Sequence, residues 1–385
     1  MSLRQFGLGL ALIATLAIAG CGSSTVASHQ NAHATSASTN AWVQTATVPK
    51  TDRVVKEEPA GQNLWLLVKT PATVNHGSGY IGEAATAGHS GLAKVTPTLY
   101  YGTAPITAWG RSSDGSWWVA SVQEDSSNFG ATVRTAIWKP GASAWTVLKP
   151  QYFSYTYDTN VTGVIIMRGV DGNGWLVEDS ERLGDFGGRT AVYRLGTIAW
   201  QVLHAFPLEI GVWSQASIAV PSSPGQLLIC PLAKTGCYEI SKSGGLTQST
   251  EPPQAAESVL TDQNASNNVV GIDGSTVYIA PTPSRNPNFV YPTTGYLWQW
   301  AGDKFTNLVQ PGSLMSQATY IGIWQHDPAM SVPQGGQTAV YVYKGGRWTK
   351  DPALVMNGHI AKWSGSTLWV IANHTIYSRE LAASH

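Results

Sequence analysis

The sequence predicts an all-β fold: a seven-bladed β-propeller of four-stranded antiparallel blades whose ring is closed by an N-terminal strand. Three observations predict it. A turn containing Gly followed by an aromatic-led apolar strand recurs at about fifty-residue spacing, an aromatic pair at an offset of seven recurs later in each unit, and the last unit holds three strands where the others hold four. Composition agrees, because 40 Gly, 16 Trp and 15 Tyr with only 12% charged residues suit strands and tight turns better than helices. The 385 residues exceed the usual length of one domain. Large all-β folds are the recognised exception, so a single body is allowed.

The chain opens with a segment that reads as an address. Arg4 precedes an apolar run over residues 6–19 that is too short for a stable membrane span, which reads as a signal peptide over residues 1–20. Its end, Ile18-Ala19-Gly20-Cys21, resembles the lipobox of bacterial lipoproteins. The resemblance implies that Cys21 is acylated and becomes the new N-terminus in the cell envelope. More than one acyl chain on a residue anchors a protein stably, which a single chain does not. Ordinary cleavage near residues 17–19, leaving Cys21 a thiol, is the alternative. Residues 21–40 are rich in Ser, Thr, Ala, Asn and His without an apolar period and read as a flexible tether. The propeller body is expected over residues 41–385.

Within the body the first turn of each unit reads directly. Gly61 precedes Trp65, Gly115 precedes Trp117 and Trp118, Gly172 precedes Trp175, Gly225 precedes Ile229, Gly274 precedes Tyr278, and Gly365 precedes Trp369. The pairs Asp114-Gly115, Asp171-Gly172 and Asp273-Gly274 supply the residues that tight hairpins favour. Between Asp273 and Gly365 there is room for one more unit, whose inner strand is placed at residues 320–324 and whose first turn has lost the glycine signature. Later in the units, Trp138 is followed by Trp145, Tyr193 by Trp200, Trp298 by Phe305 and Tyr341 by Trp348, all seven positions on. That spacing predicts two rings directly opposite each other on adjacent strands, packing one blade on the next.

The stretch from Ala191 through Tyr193 and Trp200 to Leu203 resembles the second half of a Kelch blade. Kelch blades carry a Gly-Gly doublet in their second strand where these units place an aromatic. The resemblance therefore extends to the propeller class, and no Kelch partner is implied. The segment around Trp42, residues 41–48, looks like the outer strands at 144–148 and 199–203 and is expected to complete the seventh blade.

Function is less legible. Lys and Arg number 23, as do Asp and Glu, and no basic run occurs, which excludes nucleic acid as a partner. Cys230 and Cys237 flank a short hairpin loop and are expected to form a disulfide in an oxidising compartment; a redox couple or metal pair would need Cys-x-x-Cys spacing or nearby His. Long connections are expected at residues 69–91, 122–134, 178–189, 281–294, 150–162 and 204–215, gathered on one face. Within them Tyr152, Phe153, Tyr155, Tyr157 and Asp158, with Trp213, are the candidate ligand contacts; packing of that loop on itself or on the next blade is the alternative.

Carboxylates also gather there: Glu124, Asp125, Glu178, Asp179, Glu181 and Asp185, with Arg182 and Arg189 as possible ion-pair partners. Oxygen ligands suit Ca²⁺, but EF-hand spacing is absent, so no metal is expected. Gly77, Gly79 and Gly82 match a dinucleotide pattern without a βαβ unit, so no cofactor is expected. The segment from Ser112 to Trp118 is similar to the Asp-box of sialidase propellers, but Gly115 follows Asp114 immediately, and no such activity is implied. A quinoprotein would need a Thr-Gly-Lys type of turn, which Pro140-Gly141 and Leu195-Gly196 do not supply. The expected function is a monomeric binding or assembly module for an envelope protein or polysaccharide. The alternative is a glycosidase- or lyase-like propeller using Glu124, Asp125, Glu178 and Asp179 as acid and base.

Overall fold

A computed structural model describes residues 42–380, apart from 75, 103–104, 126–129, 154–158, 170, 183–187, 209–217, 231–236, 250–266, 274–275, 282–296, 302–303, 310–319, 325, 335–336 and 358–360. Every regular element among the described residues is a β-strand, and every pairing is antiparallel. Strand β1 (Val43–Thr47) comes first in the chain and belongs to the last sheet. The first sheet is β2 (Arg53–Ala60), β3 (Asn63–Lys69), β4 (Tyr80–Thr86) and β5 (Leu92–Lys94). The second is β6 (Ala108–Arg111), β7 (Trp117–Asp125) and β8 (Gly130–Trp138), with an outer edge split into β9 (Thr146–Val147) and β10 (Gln151–Phe153).

The third sheet is β11 (Thr159–Arg168), β12 (Gly174–Arg182), β13 (Gly188–Leu195) and β14 (Trp200–Leu208), and the fourth is β15 (Ile218–Ser223), β16 (Gln226–Cys230), β17 (Cys237–Ser241) and β18 (Leu246–Ser249). The fifth is β19 (Asn267–Asp273), β20 (Thr276–Pro281), β21 (Leu297–Ala301) and β22 (Lys304–Val309). The sixth is β23 (Tyr320–Trp324), β24 (Asp327–Gln334), β25 (Gln337–Lys344) and β26 (Arg347–Asn357). In the seventh, β27 (Ala361–Ser364), β28 (Thr367–Ala372) and β29 (Thr375–Glu380) are completed by β1.

The expected N-terminal strand therefore takes its place: Gln44 lies opposite Tyr377, and Thr45 Oγ1 meets Ser378 Oγ at 2.7 Å in a buried contact. The first-turn glycines also fall as expected, with Gly61, Gly115, Gly172, Gly225 and Gly365 all at positive φ. In the sixth sheet, where the glycine is missing, His326 takes that conformation at φ 71°.

Second strands such as β3 and β28 are buried on both faces, which is why they read as apolar runs. Successive side chains point to opposite sides of a strand. Trp117 accordingly meets Trp65 of the first sheet edge-on at 5.9 Å between ring centroids, and Trp118 meets Trp200 of the third at 6.5 Å. Leu368 likewise packs with Trp324 of the sixth sheet, and Trp369 with Leu64 and Leu66 of the first. Indole N–H groups tie sheets together as well: Trp118 Nε1 donates to Gly172 O at 2.8 Å, Trp200 Nε1 to Thr135 Oγ1 at 2.9 Å, and Trp145 Nε1 to Pro97 O at 2.8 Å. Buried clusters join the first sheet to the second, the second to the third, the third to the fourth, the sixth to the seventh, and the seventh to the first. Strands β15, β19, β23 and β27 lie side by side in that order, and β27 lies beside β2.

Two expectations need correction. The ring pairs at an offset of seven are directly opposite only by extension of the register between β8 and β9, where Ile137 faces Thr146. Elsewhere Leu195 faces Trp200, Trp300 faces Phe305 and Tyr343 faces Trp348. The turns sit closer to the second ring than the spacing suggested, so residues seven apart become diagonal neighbours on one face. Second, several connections are shorter than expected. β7 continues through Asp125 and β12 through Arg182, because polar Gln, Glu, Ser and Arg residues still make ladder bonds at the strand ends.

Candidate functional site

The two ends of the sheets differ. At one end the connections are tight hairpins such as residues 61–62, 224–225, 345–346 and 365–366; at the other, among the described residues, lie the longer connections 70–79 and 95–107. The long connections are the natural place for recognition, since they carry side chains that the ladder does not constrain.

The best-described part of that end is residues 70–79. This segment is a pinned extension of the hairpin between β3 and β4: Thr70 N donates to Gly79 O at 2.9 Å, and Thr73 N donates to His76 O at 2.7 Å. His76 stacks on Tyr100 with centroids 4.4 Å apart, and Tyr100 stays exposed. Gly79 makes this possible, because a Cβ there would lie 2.4 Å from Thr98 Cγ2 and 3.3 Å from Tyr100 Cε1. An open cleft of about 420 Å³, lined by Thr107, Val122, Val164, Ile165 and Ile166, separates the second and third sheets.

Of the aromatic residues expected to contact a ligand, Tyr152 is 65% exposed and fits the role. Phe153 does not: it is 5% exposed, faces Ala131 across the ladder and packs edge-on against Tyr193 at 5.6 Å. Alternation along β10 sends one ring out and the next into the core. Tyr155, Tyr157, Asp158 and Trp213 lie outside the described residues. So does Asp185. Glu124, Asp125, Asp179 and Glu181 are placed by their backbone toward the far ends of β7 and β12. Cys230 ends β16 and Cys237 begins β17, next to the register partners Ile229 and Tyr238. Glu178 is 3% exposed, and its Oε2 accepts a hydrogen bond from Tyr193 OH at 2.6 Å, between the second and third sheets. A carboxylate so enclosed is in no position to meet a sugar at the surface.

A cluster that sequence reasoning missed sits at the hairpin end of the first strands. Glu57 and Glu58 are neighbours on β2 and so face opposite sides. Glu57 faces the seventh sheet, where Lys362 Nζ lies 3.0 Å from its Oε1 and 3.3 Å from its carbonyl. Glu58 faces the other way and forms an ion pair with Arg168 of the third sheet. Arg111 of the second sheet lies over the Trp65 ring, with its guanidinium carbon 4.2 Å from the centroid. Burial holds the Glu58 carboxyl above the usual carboxylate range, outweighing the pull of Arg168, Lys362 and Arg111 in the opposite direction. No sequence signal marks these residues, which come from four separate units.

No family model and no curated protein matches the chain. Among solved structures it is similar to a virginiamycin B lyase from Staphylococcus aureus, at 12% identity and a TM-score of 0.46 over 89% of this chain and 99% of that one. It is also similar to the β-propeller domain of the Trilobed protease from Pyrococcus furiosus, at 9% identity and 0.46 over 87% and 97%. A third likeness is to an acylaminoacyl peptidase from Pyrococcus horikoshii, at 10% identity and 0.44 over 86% and 52%. At these scores the likenesses carry no argument about what this chain does.

Proposed function

We propose that the chain is a lipid-anchored, extracytoplasmic seven-bladed β-propeller that holds an envelope protein or polysaccharide on the end where its long connections gather. The difference between the two ends carries this reading: tight hairpins close one end, and the other presents Tyr152, the Tyr100–His76 stack and an open cleft. The succession of clusters and adjacent first strands from sheet to sheet, with β1 closing the last, supports a closed wheel. Acylation of Cys21 supplies the anchor in this proposal, and a Cys230–Cys237 disulfide clips the fourth blade. Binding is favoured over carbohydrate cleavage because Glu178 is buried and engaged by Tyr193.

A photo-crosslinking amino acid placed in the full chain at Tyr152 or Tyr100, and separately at Ser366 on the hairpin end, tests the choice of surface in cells. Adducts of discrete mass, or adducts with cell-wall polysaccharide, are expected from the first two positions. Equal yield from Ser366 would defeat the assignment.

A further inference from the structure

The charge cluster at the opposite end has a use that the long-connection surface does not explain. Three cations, Arg111, Arg168 and Lys362, converge there on two carboxylates, Glu57 and Glu58. Lys362 is held by Glu57 and Arg168 by Glu58. Arg111 is in no ion pair among the described residues, and its Nε is buried without a hydrogen-bond partner. Three cations against two carboxylates leave one positive charge over in this partly exposed cluster.

We infer that this end binds a small monocarboxylic acid through the guanidinium of Arg111, with Arg168 beside it. The guanidinium rests over the Trp65 ring, and a guanidinium offers the two parallel hydrogen bonds that a carboxylate accepts. The turn residue Gly115 flanks Arg111 Nη2, and a side chain there would stand 3.5 Å from it and 3.2 Å from Pro140 Cγ. One negative charge makes the five-membered cluster neutral. A dianion overshoots and also meets the carboxylate of Glu58, so sulfate should bind worse than acetate. This site is independent of the long-connection surface and stands or falls without it.

The test uses the purified full chain, titrated with acetate, glucuronate, sulfate and chloride at constant ionic strength. Thermal midpoint and the Nε–H resonances of ¹⁵N-arginine-labelled protein are the readouts. Acetate should raise the midpoint in a saturable way that chloride does not, and should move one arginine resonance that is absent in Arg111→Met. That variant should weaken acetate at least about tenfold, as loss of a charge-assisted pair does, while Arg347→Gln, an exposed cation elsewhere, leaves it unchanged. Glucuronate binding as well as acetate would place the acid on a sugar; acetate alone would mean a free acid. If Arg111→Met does not fold, Glu58→Gln decides: releasing Arg168 should tighten acetate severalfold. Acetate acting no differently from chloride, or an unchanged response in Arg111→Met or Glu58→Gln, would overturn the inference.

Discussion

Replacing Gly172 with Ala tests the packing of the second sheet on the third at its tightest point. Gly172 has φ +75°, and an added Cβ would lie 1.8 Å from the carbonyl oxygen of Arg111 and 3.2 Å from Ser112 Cα. Both are backbone atoms, so no rotamer change relieves the clash, and the sheets must part by more than an ångström. An alanine in the left-handed region costs about 1–2 kcal/mol. Parting the sheets strains Trp118 Nε1–H···O Gly172, and a buried donor left unpaired costs about 1–3 kcal/mol more. Overpacking adds a term of about 1–3 kcal/mol. Gly61→Ala is the control, since its φ is +58° and nothing lies within 4 Å of the new methyl. Urea unfolding followed by tryptophan fluorescence should therefore show Gly172→Ala destabilised by about 3 kcal/mol more than Gly61→Ala. A difference under about 1 kcal/mol would refute the claim that this turn is clamped between backbones.

Three further outcomes are expected. Burial raises the Glu83 carboxyl above its ordinary value, with Asp52 adding to the shift and Lys94 opposing it. The folded state thus keeps a proton that the unfolded chain releases, and stability falls as pH rises from the ordinary carboxylate value through the raised one. Glu83→Gln should therefore raise the thermal midpoint at pH 7 to 8 and leave it unchanged near pH 3; a gain confined to acidic pH would contradict this. Ala46→Asp places a charge between the seventh and first sheets at a position 4% exposed. It should cost roughly 3 kcal/mol or more, read by urea midpoint, or prevent folding. Cys21→Ser should move the protein from the membrane fraction to the soluble one on cell fractionation, and retention in the membrane would remove the anchor from the proposal.

What was legible in the sequence is what local chemistry dictates. Gly115 and Gly172 announce their turns because only a residue without a side chain takes that backbone conformation cheaply. The strand at Tyr320–Trp324 lands on its expected bounds, and β1 is recognisable because Trp42 starts an outer strand like those led by Trp145 and Trp200. Register was misjudged because ring spacing does not reveal how many residues a turn consumes, as Leu195 facing Trp200 shows. Phe153 reads like Tyr152 in sequence, and only the ladder to β8 decides which of them points inward. The Glu57, Glu58, Arg111, Arg168 and Lys362 cluster was invisible for a different reason. Its members sit on four strands whose adjacency depends on the whole order of sheets, and each alone reads as an ordinary surface charge.

The pairing of β1 with β29 also has a mechanical side. The segment expected to run to the anchor enters the body directly at β1, so any pull on it arrives at a strand gripped by backbone bonds to β29 and by Thr45 against Ser378. Nascent β1 is synthesised long before β29 exists, and must wait unpaired until nearly the whole chain has been made. Assembly thus finishes at the same seam that bears the load, which makes that seam the place where both late folding and forced unfolding should begin.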